Sequence, residues 1–73
     1  MTEKIKINTK TIQLDQFLKW SNAVSTGGEA KSIIQAGKVM VNGEIEYKRS
    51  KKLKRGDKVE LSELNKSYKV SRD

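Results

Sequence analysis

The sequence predicts an α+β fold, because the spacing of its apolar residues changes from a helical to a strand period after Gly37. From Leu14 to Gly37 they recur at intervals of three and four, the period of helices. From Val39 onward they alternate, the period of strands. Gly37, a residue suited to ending a helix, stands at the change, and the hairpin signal Asn42-Gly43 follows it. Helical segments followed by a run of strands make the α+β pattern.

Ile5 and Ile7 alternate with Lys4, Lys6 and Asn8, which predicts a short edge strand over residues 4–8. A first helix is expected over about residues 14–23. Leu14, Phe17, Leu18 and Ser21 share one face of it, and Asp15, Lys19 and Asn22 lie opposite. Asp15 in the first turn suits the positive end of the helix dipole, and Ser25-Thr26-Gly27-Gly28 should break the helix. Trp20, at the edge of the apolar face, reads as a partly buried packing residue with its N–H at a polar rim. The second helix starts at Thr26, whose hydroxyl forms a capping box with Glu29 three residues on. Ala30, Ile33, Ile34 and Gly37 make its apolar stripe, while Lys31, Gln35 and Lys38 line one exposed flank. The short connection requires the two helices to lie against each other.

In the strand region, Val39 and Val41 alternate with Lys38 and Met40, and Asn42-Gly43 accepts the positive φ of a type I′ turn. Ile45 and Tyr47 continue on the return strand, with Tyr47 unassigned between packing and binding. Lys54-Arg55-Gly56-Asp57 forms a second turn, after which Val59 and Leu61 alternate with Lys58 and Glu60. Residues 62–73 read as a polar tail in which Tyr68 and Val70 are spaced for one extra strand.

A chain of 73 residues makes one small domain, expected to span 1–73, and with 34% apolar residues its core is a thin layer. There is no Cys and no His, so no disulfide, no transition-metal site and no cofactor is expected. The same absence removes the commonest general base and the commonest soft nucleophile. The glycines lack the spacing of a dinucleotide or P-loop fingerprint. No enzyme and no small-molecule substrate is expected. Against 9 acidic residues stand 16 Lys and Arg, a net charge of +7 that draws nucleic acid, anionic membrane or an acidic protein. No apolar run is long enough to span a bilayer and Met1-Thr2-Glu3-Lys4 opens no signal peptide, so a soluble, cytoplasmic monomer is expected.

Lys48, Arg49, Lys51, Lys52, Lys54 and Arg55 place six positive charges within eight residues. Such a block repels itself, and it suits a loop that contacts phosphates and releases their counterions. Leu53 in its middle should tuck into the core and anchor it. Gly27 and Gly28 read as a flexible connector or, at the first two positions of a capped helix, as bare donors that a phosphate can approach.

Taken together, Leu14-Asp15-Gln16-Phe17-Leu18-Lys19, Gly27-Gly28-Glu29-Ala30-Lys31, Ile34-Gln35-Ala36-Gly37-Lys38-Val39-Met40-Val41-Asn42-Gly43 and Leu53-Lys54-Arg55-Gly56-Asp57-Lys58-Val59 resemble the S-four RNA-binding domain, named for small-subunit ribosomal protein S-four. The resemblance covers residues 12–61, and the double glycine and the length are similar to the small stand-alone bacterial members, the YaaA/YbcJ type. It implies two packed helices against a small, mostly antiparallel sheet. It also implies binding of structured RNA, ribosomal or transfer RNA, by a ribosome-associated or assembly accessory protein. Carried over by position, it places Lys19, Gly27, Gly28, Lys31, Gln35 and Lys38 near the RNA, with Arg49, Lys51 and Lys52 beside them. Many family members carry Arg before the first helix and at the start of the second. This chain has Gln13 and Gly27-Gly28 there, so those phosphate contacts would have to come from the bare helix N-terminus. A DNA-binding accessory protein and an adaptor docking on an acidic protein surface use the same charges and stay open at this point.

Overall fold

The computed structural model describes residues 2–62 and 65–72. Two strands, β1 (Thr2–Ile7) and β2 (Thr11–Gln13), precede the helices α1 (Leu14–Trp20) and α2 (Gly27–Gln35). Five more strands follow: β3 (Val39–Val41), β4 (Glu44–Ile45), β5 (Lys52–Lys54), β6 (Lys58–Leu61) and β7 (Lys66–Arg72). The architecture is α+β, with two packed helices against a mostly antiparallel sheet.

Both helices end in the same way. After α2, Gly37 takes φ +75° and donates to the Ile34 carbonyl, while the Lys38 N–H reaches the Ile33 carbonyl. This is the Schellman pairing, which satisfies carbonyls left over at a helix end. After α1, Asn22 takes φ 62° and repeats the arrangement, with Asn22 donating to Lys19 and Ala23 to Leu18. The first helix therefore stops at Trp20, three residues short of the expected end. Asn22 is its stop, ahead of the Ser25–Gly28 segment, because asparagine tolerates the left-handed region better than other non-glycine residues. At the start of α2, Thr26 Oγ1 accepts from the Glu29 N–H at 3.1 Å, as the capping box requires. The reciprocal contact is displaced by one residue: Glu29 Oε1 accepts from the Ser25 N–H, also at 3.1 Å.

The main sheet has the order β1-β7-β6-β3-β4. Its pairs are antiparallel except β1 with β7, which run parallel with Thr2 opposite Ser67 and Ile7 opposite Arg72. The segment that reads as a polar tail thus supplies β7, between β1 and β6, and of its residues 62–73 only 63, 64 and 73 lie outside the described ones. Asn42 and Gly43 turn β3 into β4 with φ 52° and 86°, the type I′ signs. The return strand is shorter than expected. It ends at Ile45, so Tyr47 lies beyond it, and both side chains are exposed.

One face of the sheet carries the core. Val39, Val41, Val59, Leu61, Tyr68 and Val70 are buried there, together with Leu14, Phe17, Leu18, Ala30 and Ile34 from the helices. The Tyr68 ring meets Phe17 edge-on, with centroids 6.4 Å apart and planes at 81°, a favoured aromatic geometry. Burial, and secondarily the Glu3 carboxylate, push the Tyr68 hydroxyl above its ordinary pKa of 10.0.

Asp57, 7% exposed, joins the two turns of the sheet. Its carboxylate accepts from the Asn42 side-chain amide at 3.1 Å and from the Lys54 backbone N–H at 2.8 Å. Asn42 Oδ1 accepts in turn from the Lys58 N–H at 2.9 Å. The Asn-Gly turn and the Gly-Asp turn are therefore one hydrogen-bonded unit, and each polar atom in it has a partner, as a buried polar network requires.

Candidate nucleic-acid interface

The basic run is not a free loop. Residues Lys52–Lys54 form β5, which pairs antiparallel with β2 in a separate two-stranded ribbon, Gln13 opposite Lys52 and Thr11 opposite Lys54. Leu53, fully buried, fastens this ribbon to the core. The preceding residues are held by α1. No side chain caps that helix at Gln13; instead the Leu14 N–H donates to the Lys51 carbonyl at 2.8 Å and the Asp15 N–H to the Arg49 carbonyl at 3.1 Å. Donors orphaned at a helix start are thus satisfied by the backbone of the basic segment. Arg49 and Lys51 are consequently fixed beside the first turn of α1, with exposed side chains.

At the other end of α1, Lys19 leans on α2. Its Cδ lies 4.0 Å from the place a Cβ would occupy at Gly27. Gly27 and Gly28 are exposed at the first two positions of α2, where backbone N–H groups lack partners within the helix, and the Lys19 stem lies beside the first of them. Lys31 and Gln35 follow, exposed, along α2. Lys38 departs from the expected flank. It lies past the helix end as the residue after Gly37, half-buried, and its carbonyl accepts from the Ser62 N–H at 3.2 Å.

Past the end of α2, the Tyr47 ring covers Gly37, with its Cε1 3.2 Å from where a Cβ would stand. Tyr47 leads directly into Lys48 and Arg49, which closes the circuit back to the start of α1. Lys19 and Gly27 mark one end of the helix pair and Arg49 and Lys51 the other, joined by Lys31 and Gln35. With nine residues, α2 spans about 14 Å. Lys52 lies on β5 and, with Lys51 and Lys54, lines a cleft of about 330 Å³ that Glu44 and Glu46 share, so Lys51 borders both the cleft and the helix pair. The structure therefore brings Lys19, Gly27, Gly28, Lys31, Gln35, Arg49 and Lys51 around the helix pair, and sets Lys52 and Lys38 at its margins.

Near the ends of the helices lie two exposed aromatic side chains that sequence reading placed elsewhere or left open. Trp20 is 55% exposed, so it is not the partly buried packing residue expected. Its indole N–H donates to the Lys6 carbonyl at 2.7 Å, which pins the ring across the outer edge of β1 and leaves it in solvent. Tyr47 is 61% exposed although its ring edge packs on Gly37. The signal for Trp20 lay in the helix itself: it stands off the centre of the stripe of Leu14, Phe17 and Leu18.

The match to a known family follows the same residues. The model of the S4 domain family matches residues 5–71, nearly all the described chain. This chain belongs to the S4 domain family. The match takes in β7, which the resemblance read over residues 12–61 left out. A curated relative, a probable ribosome maturation protein RlbA of Bacillus subtilis (strain 168), is 41% identical over 61 residues, covering 84% of this chain and 86% of the relative. The S4 domain here has the helix pair and the fastened basic segment on one side and an uncovered sheet face on the other.

Proposed function

We propose that this S4-domain chain binds structured RNA, ribosomal RNA foremost, without catalysis, as a ribosome-associated or assembly accessory protein. The observation that carries the reading is the fastening of the basic segment to the start of α1, with the Lys19 stem beside Gly27 at the far end of the helix pair. Lys19 lies over Gly27 at one end, and the Arg49–Lys51 backbone is bonded to the start of α1 at the other. Held cations suit phosphates at set positions, and RNA duplexes are recognised by shape and backbone because their base edges lie in a deep, narrow major groove. Lys19, Gly27, Gly28, Lys31, Gln35, Arg49 and Lys51 make the contacts in this reading, with Lys38 and Lys52 at the rim. The family membership and a relative bearing the name of a ribosome maturation protein support it. Among the described residues no helix is long and apolar enough to cross a membrane, and the chain works in this reading as a soluble, cytoplasmic monomer.

The test is co-sedimentation with ribosomes and their precursor particles. Changing Lys31, Arg49 and Lys52 together to Glu should remove the protein from the particle fractions, a loss on the order of tenfold or more in affinity. Retained sedimentation together with loss of a protein contact would favour an adaptor. Competition by duplex DNA as strong as by a structured RNA at equal salt would turn the assignment to DNA.

A further inference from the structure

The face of the sheet turned away from the helices carries a second positive surface. Lys4 of β1 stands opposite Lys69 of β7, and Lys69 stands opposite Lys58 of β6, so three lysines are in register across three adjacent strands. Neighbouring strands lie about 4.8 Å apart, and like charges directly opposite one another destabilise a sheet. The alternate residues Val59, Tyr68 and Val70 are buried against the helices, and Lys4, Lys58 and Lys69 are exposed on the other side. Arg55 joins the row from the Gly56 turn. With Lys4, Gly56, Lys69, Val70 and Ser71 it lines a shallow cavity of about 240 Å³. Lys58 has Glu60 at 3.9 Å, but no described carboxylate lies within ion-pair distance of Lys4, Arg55 or Lys69. The basic run is therefore divided between two opposite sides of the molecule, with Arg49 and Lys51 on one and Arg55 on the other.

We propose that this open sheet face binds the phosphate backbone of a second RNA segment, so that the protein bridges two pieces of RNA. A row of cations in register, flanked by the hydroxyls of Thr2, Ser67 and Ser71, suits a repeating anion. Among the described residues no exposed large apolar side chain stands on β1, β6 or β7, and Trp20, at the outer edge of β1, is tied by its N–H to the Lys6 carbonyl, so the row itself offers charge and hydroxyls to a polyanion. The bridging role rests on the reading of the helix pair as the first RNA site, while the open-face site itself does not.

Capture between two RNAs tests the proposal. One RNA hairpin is immobilised, the full-length protein is added, and retention of a second, fluorescent hairpin is measured. The wild type should retain it. The variant Lys4→Gln/Arg55→Gln/Lys69→Gln should still bind the immobilised hairpin and retain at least about tenfold less of the second. Removing opposed like charges should leave the melting temperature unchanged or higher, which separates lost binding from lost folding. Undiminished capture by this variant, or a wild type that holds one hairpin and never two, overturns the proposal. Equal retention of duplex DNA or of phosphatidylserine vesicles overturns the assignment to RNA. The Lys31→Glu/Arg49→Glu/Lys52→Glu variant tells the two sites apart. If it binds a single hairpin as the wild type does while the open-face variant does not, the helix-pair reading falls and the open-face site stands.

Discussion

At Gly37 a φ of +75° and the Tyr47 ring act together on any side chain placed there. Gly37→Ala should destabilise the fold by about 1–2 kcal/mol from backbone strain alone, and lower the melting temperature by about 5–15 °C in a domain this small. Thermal denaturation followed by circular dichroism checks this. Asp57 presents a different mechanism. Asp57→Ala removes the acceptor of both the Lys54 N–H and the Asn42 amide, and a donor left without a partner costs about 1–3 kcal/mol. A double-mutant cycle with Asn42→Ala should show the two losses to be less than additive, since each alone breaks the same link. The turn chemistry at both places was legible in the chain: Gly37, Asn42-Gly43 and Gly56-Asp57 carry their conformations in their residue types. The bond from Asn42 to Asp57 was not, because it spans fifteen residues that no local rule connects. Trp20 was misread for a related reason. Its place off the centre of the α1 stripe was readable, but the β1 carbonyl that holds its ring was not.

Among the elements, those set by neighbours along the chain were readable and those set by distant partners were not. Thr26 and Glu29 announced the start of α2, and the side-chain oxygen meets the N–H it should. Leu53 announced that the basic run is anchored. The ribbon of β2 with β5 had no such sign, since Thr11–Gln13 is too short to show a period and becomes a strand only through Lys52–Lys54. The end of α1 was overrun because Asn22 is only a moderate stop signal in sequence, and its φ of 62° is fixed by the Schellman bonds it completes. Strand β7 was visible only as the pair Tyr68 and Val70, whereas its central place in the sheet comes from partners on either side. That burial has a measurable result. The Tyr68 hydroxyl holds its proton to higher pH in the folded state than its ordinary value of 10.0, so the folded state binds more protons above that value. Stability from this group is fully present below about pH 10 and is lost as the pH rises through the raised folded value. Urea titrations between pH 9 and 11 should show a fall in stability that Tyr68→Phe reduces.

For the whole molecule, the candidate site was legible as a list of charges but not as a layout. Composition pointed to a polyanion, and the spacing picked Lys31, Gln35 and the basic run. What joins them is tertiary: the α1 donors on the Arg49 and Lys51 carbonyls, and Lys19 over Gly27. The net charge of +7 makes binding depend on ionic strength. If about four to six phosphates are neutralised, log affinity for RNA should fall against log salt with a slope on the order of −3 to −5. Fluorescence anisotropy over a salt series measures it, and a flat response would sink the RNA reading. The parallel pairing of β1 with β7 bears on how the chain reaches this state during synthesis. Thr2 meets Ser67, a partner 65 residues later, and β6 likewise waits for β7 on that side. A nascent chain emerging from the ribosome can form its helices and the β3–β4 hairpin early, yet β1 has no place in the sheet until β7, which follows all the other strands in the chain, has been made. Closing so long a loop is slow by comparison with local steps. The completed sheet, and with it the lysine row that crosses β1, β7 and β6, is therefore assembled last.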